Sequence, residues 1–160
     1  MTATVKVLWN IVLSGYPKSG KTLLAKRLIA DNPDFARLGV DELRAMLFNE
    51  TPPCRDEFRL YTLLTQMRDA LLAKGYGVII DSTAPDNITR EFLQTTRIKH
   101  ANQLLVIFTV DRNVLAKRNI DAVGNIDRVL AWDKRWENPK GECCLFKFKS
   151  NNMAEFENYY

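Results

Sequence analysis

Between an apolar run and an amphipathic one, residues 15–22 read Gly15-Tyr16-Pro17-Lys18-Ser19-Gly20-Lys21-Thr22, and this G-x-x-x-x-G-K-[ST] spacing leaves few folds open to the chain. Residues 5–13 place Val, Ile and Leu on consecutive positions, the pattern of a strand buried on both faces of a parallel sheet. Leu24 and Leu28 predict a helix over residues 20–30, which the Asn32-Pro33 pair stops. A strand, this loop and a helix in succession make an anion seat. Gly15 and Gly20 permit backbone angles and close approaches that a side chain forbids, so the loop amides turn inward beside the positive end of the helix. Lys21 is placed to reach the outer phosphates of a nucleotide, and the Thr22 hydroxyl to ligate Mg²⁺. The spacing thus predicts nucleotide binding by all eight residues, with ATP and Mg²⁺ as ligands. The absence of G-x-G-x-x-G removes the dinucleotide alternative.

The rest of the chain alternates strand and helix patterns, as in an α/β sheet protein. A second strand is expected over residues 35–40, followed by a helix carrying Leu43, Met46 and Leu47 that Asp41 is placed to cap. After Pro52-Pro53, Phe58, Tyr61, Leu64, Met67 and Leu71 recur at three or four residues, and Gly75 closes that helix. Residues 78–80 form a third strand ending at Asp81, and residues 86–99 a helix with Ile88, Phe92 and Leu93 inward. A fourth strand over 104–110 precedes a charged helix over 113–119, a break at Val123-Gly124-Asn125, and a helical stretch with Ile126, Val129, Leu130 and Trp136. Residues 144–148 are expected to add a fifth strand and 153–160 a short terminal helix. With 160 residues and no linker, repeat or charge block, the expectation is one domain over residues 1–160.

The formal charge of +4 invites a basic-groove reading, but Lys6, Lys18, Lys21, Lys26 and Arg27 fall in the first thirty residues with no acid among them. The remainder holds 18 basic and 19 acidic residues, so the excess argues for a local anionic ligand. Cys54, Cys143 and Cys144 form no C-x-x-C, and His100 is the single histidine, which together exclude a disulfide framework and a multi-histidine metal site. His100 reads as a residue capping a helix C-terminus, and Cys143 and Cys144 as strand thiols. No apolar run is long enough to span a bilayer and no leader pattern opens the chain, so the expected compartment is the cytoplasm.

The loop alone does not separate hydrolysis from phosphoryl transfer. Asp41 and Asp81 follow the second and third expected strands, whose carboxyl ends border the ligand crevice in an open parallel sheet. Asp41 is placed to take a proton from an attacking hydroxyl. Arg44, three residues on and on the same helical face, is placed to hold an acceptor phosphate. Plainer readings stand beside these: Asp41 as a helix cap, Arg44 as a solvated residue, and Asp81 as part of a turn with Ser82 and Thr83.

Residues 15–22, the run Asn32-Pro33-Asp34-Phe35 leading to Val40-Asp41-Glu42-Leu43-Arg44, Val78-Ile79-Ile80-Asp81-Ser82-Thr83, and Leu115-Ala116-Lys117-Arg118-Asn119 resemble the kinase domain of bacteriophage-type polynucleotide 5′-hydroxyl kinases. The similarity runs from about residue 9 to residue 136. It implies a three-layer P-loop kinase fold, with about five mostly parallel strands, helices on both faces and a helical lid over residues 112–128. It implies Asp41 as general base, Arg44 and Asp81 in the acceptor site, Arg118 as a lid arginine on the transferring phosphate, and a DNA or RNA acceptor. The second lid arginine of that family is missing: the corresponding stretch is Ile120-Asp121-Ala122-Val123, which leaves Arg112, Arg128 or a partner's residue as substitutes.

Three other readings share the motif. One is a kinase of hydroxymethylated bases in phage DNA, one a small-molecule hydroxyl kinase. The third is an ATP-hydrolysing switch with residues 78–81 as its Walker-B strand. Trp132 and Trp136 are open both to stacking on bases and to packing.

Overall fold

A computed structural model describes residues 7–141, 145–149 and 151. In chain order the elements are β1 (Leu8–Ser14), α1 (Lys21–Asp31), β2 (Phe35–Gly39), α2 (Val40–Phe48), α3 (Glu57–Ala73), β3 (Gly77–Asp81), α4 (Asn87–Gln94), β4 (Ala101–Thr109), α5 (Arg112–Val123), α6 (Asp127–Asp133) and β5 (Leu145–Lys149). The strands form one sheet in the order β2-β3-β1-β4-β5, and every neighbouring pair is parallel.

Central strands in such a sheet must be apolar on both faces, and β3 is buried along its whole length. Alternation divides the side chains between two cores. Leu8 and Val12 of β1, Val78 and Ile80 of β3, and Leu105 and Ile107 of β4 face Leu60, Leu64 and Leu72 of α3 and Leu93 of α4. Leu13, Ile79, Val106 and Phe108 face Ala25, Leu24 and Leu28 of α1 on the other side. Three layers result. No helix among the described residues is long and apolar enough to cross a membrane.

Several elements differ from the sequence reading, and buried charge accounts for two of them. In α3 the inward residues are Leu60, Leu64, Arg68 and Leu72, while Phe58 and Met67 lie exposed. Arg68 holds a core position because its guanidinium donates to Leu93 O and Thr95 O at 2.7 Å each and pairs with Asp69. The α4 helix stops at Gln94, with Arg90 and Leu93 inward and Ile88 and Phe92 exposed. His100 therefore lies in the turn before β4 and caps no helix. The α5 helix is longer than expected and runs to Val123, where Gly124 ends it at φ 79°. Met46 is exposed on α2. Cys143, Cys144 and the expected terminal helix lie outside the described residues.

Candidate active site

The loop between β1 and α1 is tied to the sheet at its start, where Gly15 N donates to Thr83 O at 3.1 Å. A Cβ on Gly15 would lie 2.8 Å from Phe108 Cβ and 2.9 Å from Ser19 Oγ, so only glycine fits there. Gly20 precedes α1 at φ 99° and no side chain caps the helix, which leaves the first amides of α1 open for an anion. Lys21 is buried; its Nζ donates to Tyr16 O at 2.8 Å and to Ser19 Oγ at 3.3 Å. Burial pulls its ammonium down from 10.5 to about 8, against the opposing charges of Asp81 and Asp41. Those two carboxylates therefore share the electrostatic neighbourhood of Lys21. Thr22 is exposed on the first turn of α1.

Asp41 lies inside the first turn of α2, because the helix starts at Val40 with Gly39 as N-cap. The helix-cap reading is thereby excluded. The Asp41 side chain is 76% exposed, yet it is held by Arg44, which is 5% exposed and donates from Nη1 to Asp41 Oδ1 at 2.5 Å. Arg44 in turn is forked against Glu57 at the start of α3, with Nε to Oε1 at 2.8 Å and Nη2 to Oε2 at 3.1 Å. Burial works to lower the Arg44 pKa, but the Glu57 bonds and the charges of Glu57 and Asp41 outweigh it and raise it. Arg44 is thus buried and paired, not solvated.

Asp81 ends β3 and is buried, but its partner is Arg37 of β2, not its own turn. The turn is instead closed by Ser82 Oγ, which accepts from Ala84 N at 3.2 Å. Arg37 also reaches Glu42 at 2.6 Å, so this flank of the loop holds two arginines, each between an aspartate and a glutamate. The sequence reading missed Arg37 and Glu57. An arginine inside an otherwise apolar strand requires a buried acid, which was the available signal for Arg37; Glu57 gave none, since its contact with Arg44 spans thirteen residues.

Over the other side of the loop stand α5 and α6. Arg118 Nη1 lies 3.5 Å from Lys18 O, and its Nη2 donates to Asn151 O at 3.0 Å. Arg112 is forked against Asp133, and Tyr16 donates its hydroxyl to the same carboxylate at 2.9 Å. Burial first, then that bond, pushes the Tyr16 hydroxyl up to about 12. Arg128 is exposed on α6. Trp136 packs against the Tyr16 ring at 4.9 Å and beneath the Arg90 guanidinium, and Trp132 stacks with Arg135. A cavity of about 260 Å³ opens beside the loop, lined by Tyr16, Phe108, Arg112, Leu115 and Trp136. A larger one of about 680 Å³ lies against α4 and the start of β4 and shares no residue with the loop.

Hard oxygen donors suit Mg²⁺, and Thr22, on the first turn of a helix with an uncapped N-terminus, and Asp81, at the end of β3, supply them. The residues present fit a magnesium nucleotide.

Fold and loop together define a P-loop domain with a kinase-like α/β fold. The chain belongs to the AAA domain family, whose profile matches residues 11–128. It is similar to a chain of the Pnkp1/Rnl/Hen1 complex, 25% identical with a TM-score of 0.65, over 74% of this chain and 41% of that one. This chain therefore spans well under half the length of that relative. It shares its fold with an unliganded Janibacter sugar kinase (16% identity, TM-score 0.73, 93% of this chain and 89% of that one). It also shares it with the Mycobacterium tuberculosis APS kinase CysC in complex with AMPPNP and APS (16% identity, TM-score 0.69, 96% and 95%). No curated protein sequence matches the chain.

Proposed function

We propose that the chain is a cytoplasmic phosphotransferase that moves the γ-phosphoryl group of ATP to a hydroxyl of a nucleic acid, with the 5′-hydroxyl of a DNA or RNA strand as acceptor. One observation carries this reading: an exposed carboxylate, Asp41, fixed by a buried arginine whose own position is locked by Glu57. A base must meet an incoming hydroxyl, so exposure suits it, and a fixed geometry suits in-line attack. Arg44 has five N–H groups and spends three on Asp41 and Glu57, which leaves two for an anionic acceptor. This D-x-x-R is, with Lys117-Arg118-Asn119, the more selective part of the resemblance to polynucleotide kinases, and a second similar structure is described as an RNA repair complex.

In the proposed reaction Asp41 accepts the hydroxyl proton as the new O–P bond forms, and the bond from the γ-phosphorus to the bridging oxygen of ADP breaks. The loop amides of residues 15–20 and Lys21 bind the phosphates, and Arg118, from a lid over residues 112–128, balances charge on the transferring group. Bound Mg²⁺ neutralises phosphate oxygens; Thr22 and Asp81 would hold it.

The test is to offer γ-labelled ATP with 5′-hydroxyl DNA, 5′-hydroxyl RNA, hydroxymethylated duplex, nucleosides and sugars. Label on a strand's 5′ end is the expected result. Label on the modified base or on the small molecules alone reassigns the acceptor, and free phosphate without transfer overturns the phosphotransferase reading.

A further inference from the structure

Asn119 is wholly buried on α5 beside Arg118, and the transfer just described gives it no task. Its Nδ2 donates back along the helix to Leu115 O at 2.9 Å and across to Pro17 O at 3.3 Å. Its Oδ1 is buried with no hydrogen-bond partner among the described residues. An aliphatic side chain of the same shape would remove that unsatisfied acceptor, so packing alone does not explain the amide. The other buried amide with an orphan oxygen, Asn10, differs in this respect. Its donations to Leu93 O, Gln94 O and Gln103 Oε1 close the end of α4 onto the sheet. Outside its own helix, Asn119 bonds only the phosphate loop among the described residues.

The loop needs such a donor. Lys18 sits at φ 65° and Gly20 at φ 99°, a left-handed course that turns amides inward only if the carbonyls turn out. Each outward carbonyl then requires a partner. Tyr16 O receives Ser19 N and Lys21 Nζ, Pro17 O receives Asn119, and Lys18 O faces Arg118. Three successive carbonyls are met, the last two from consecutive residues of α5.

We propose that Asn119 is a positioning residue of the phosphate loop: through Pro17 O it keeps the loop's amides aimed at the nucleotide's phosphates and couples that geometry to α5. This rests on the reading of the loop as a nucleotide site. The test measures thermal midpoint and MgATP affinity, by calorimetric titration, for Asn119→Leu and Asn119→Asp in the full chain. The Leu variant exchanges one orphan acceptor, Oδ1, for another, Pro17 O, so its midpoint stays close to wild type, while its Kd for MgATP rises roughly three- to tenfold, the effect of one neutral hydrogen bond. The Asp variant replaces the donor with a second acceptor facing Pro17 O and weakens binding at least as much. A Leu variant that binds as tightly as wild type sinks the proposal and leaves the nucleotide reading standing. Midpoint and affinity falling together in the Leu variant reduces Asn119 to a structural role and sinks it too. A wild-type chain that binds no MgATP overturns the loop reading, and the proposal with it.

Discussion

Arg37 places two hydrogen bonds on a single oxygen of Asp81, Oδ2, from Nε at 3.0 Å and from Nη2 at 2.6 Å, while Oδ1 accepts none among the described residues. The aspartate at the end of β3 is thereby balanced from the neighbouring strand and keeps one oxygen uncommitted. Arg37→Leu strands a buried carboxylate, and unfolding in urea should show a loss of about 3 kcal/mol, the usual effect of removing one member of a buried pair. Glu42, more than half exposed, contributes less: Glu42→Gln should lower stability by under about 1 kcal/mol.

The Lys21 ammonium, at about 8 in the folded chain against 10.5 ordinarily, links both stability and binding to pH. Below pH 8 the buried charge is fully present and opposes folding. Between about pH 8 and 10.5 the folded chain holds fewer protons than the unfolded one, so this contribution to stability rises with pH. Nucleotide binding runs the opposite way, because phosphates select the protonated amine. Affinity for MgATP should fall as pH passes 8, by up to about tenfold per unit, and Lys21→Met should flatten the profile. Fluorescent-nucleotide titrations from neutral to alkaline pH read this directly.

Asp41→Asn retains the shape of the side chain and removes the proton acceptor. Transfer should drop by roughly 10²–10⁴ with ATP affinity nearly unchanged. Parallel collapse of ATP binding would show that Asp41 serves the nucleotide instead.

Glu57→Ala frees Arg44 from its fork without touching the phosphate loop. The expected signature is a rise of about tenfold in KM for the acceptor, equal to one charge-assisted hydrogen bond, with KM for ATP unmoved. Initial rates with each substrate varied in turn decide it.

What the sequence disclosed follows from how each residue's partner is arranged. The phosphate loop and β3 were legible because their signals are local: a fixed spacing in residues 15–22 and an unbroken apolar run into Asp81. Asp41 and Arg44 were legible as a pair because three residues on a helix bring them together. The inward faces of α3 and α4 were misplaced because each includes a buried arginine, Arg68 and Arg90, whose carbonyl partners lie in other segments. Apolar periodicity has no means of announcing a charge that is satisfied from a distance. Arg37 and Glu57 were overlooked, and Asn119 was quoted in its run without a role, for the same reason, each being defined by a contact across the fold.

The strand β1 lies in the middle of the sheet, with β3 and β2 on one side and β4 and β5 on the other. The loop it launches consequently divides two territories: Asp41, Arg44, Glu57 and Asp81 occupy one, Arg118 and Asn119 the other. Residues on the flank from β2 to α3 can therefore change without disturbing the contacts that α5 makes with the loop on the far side of β1.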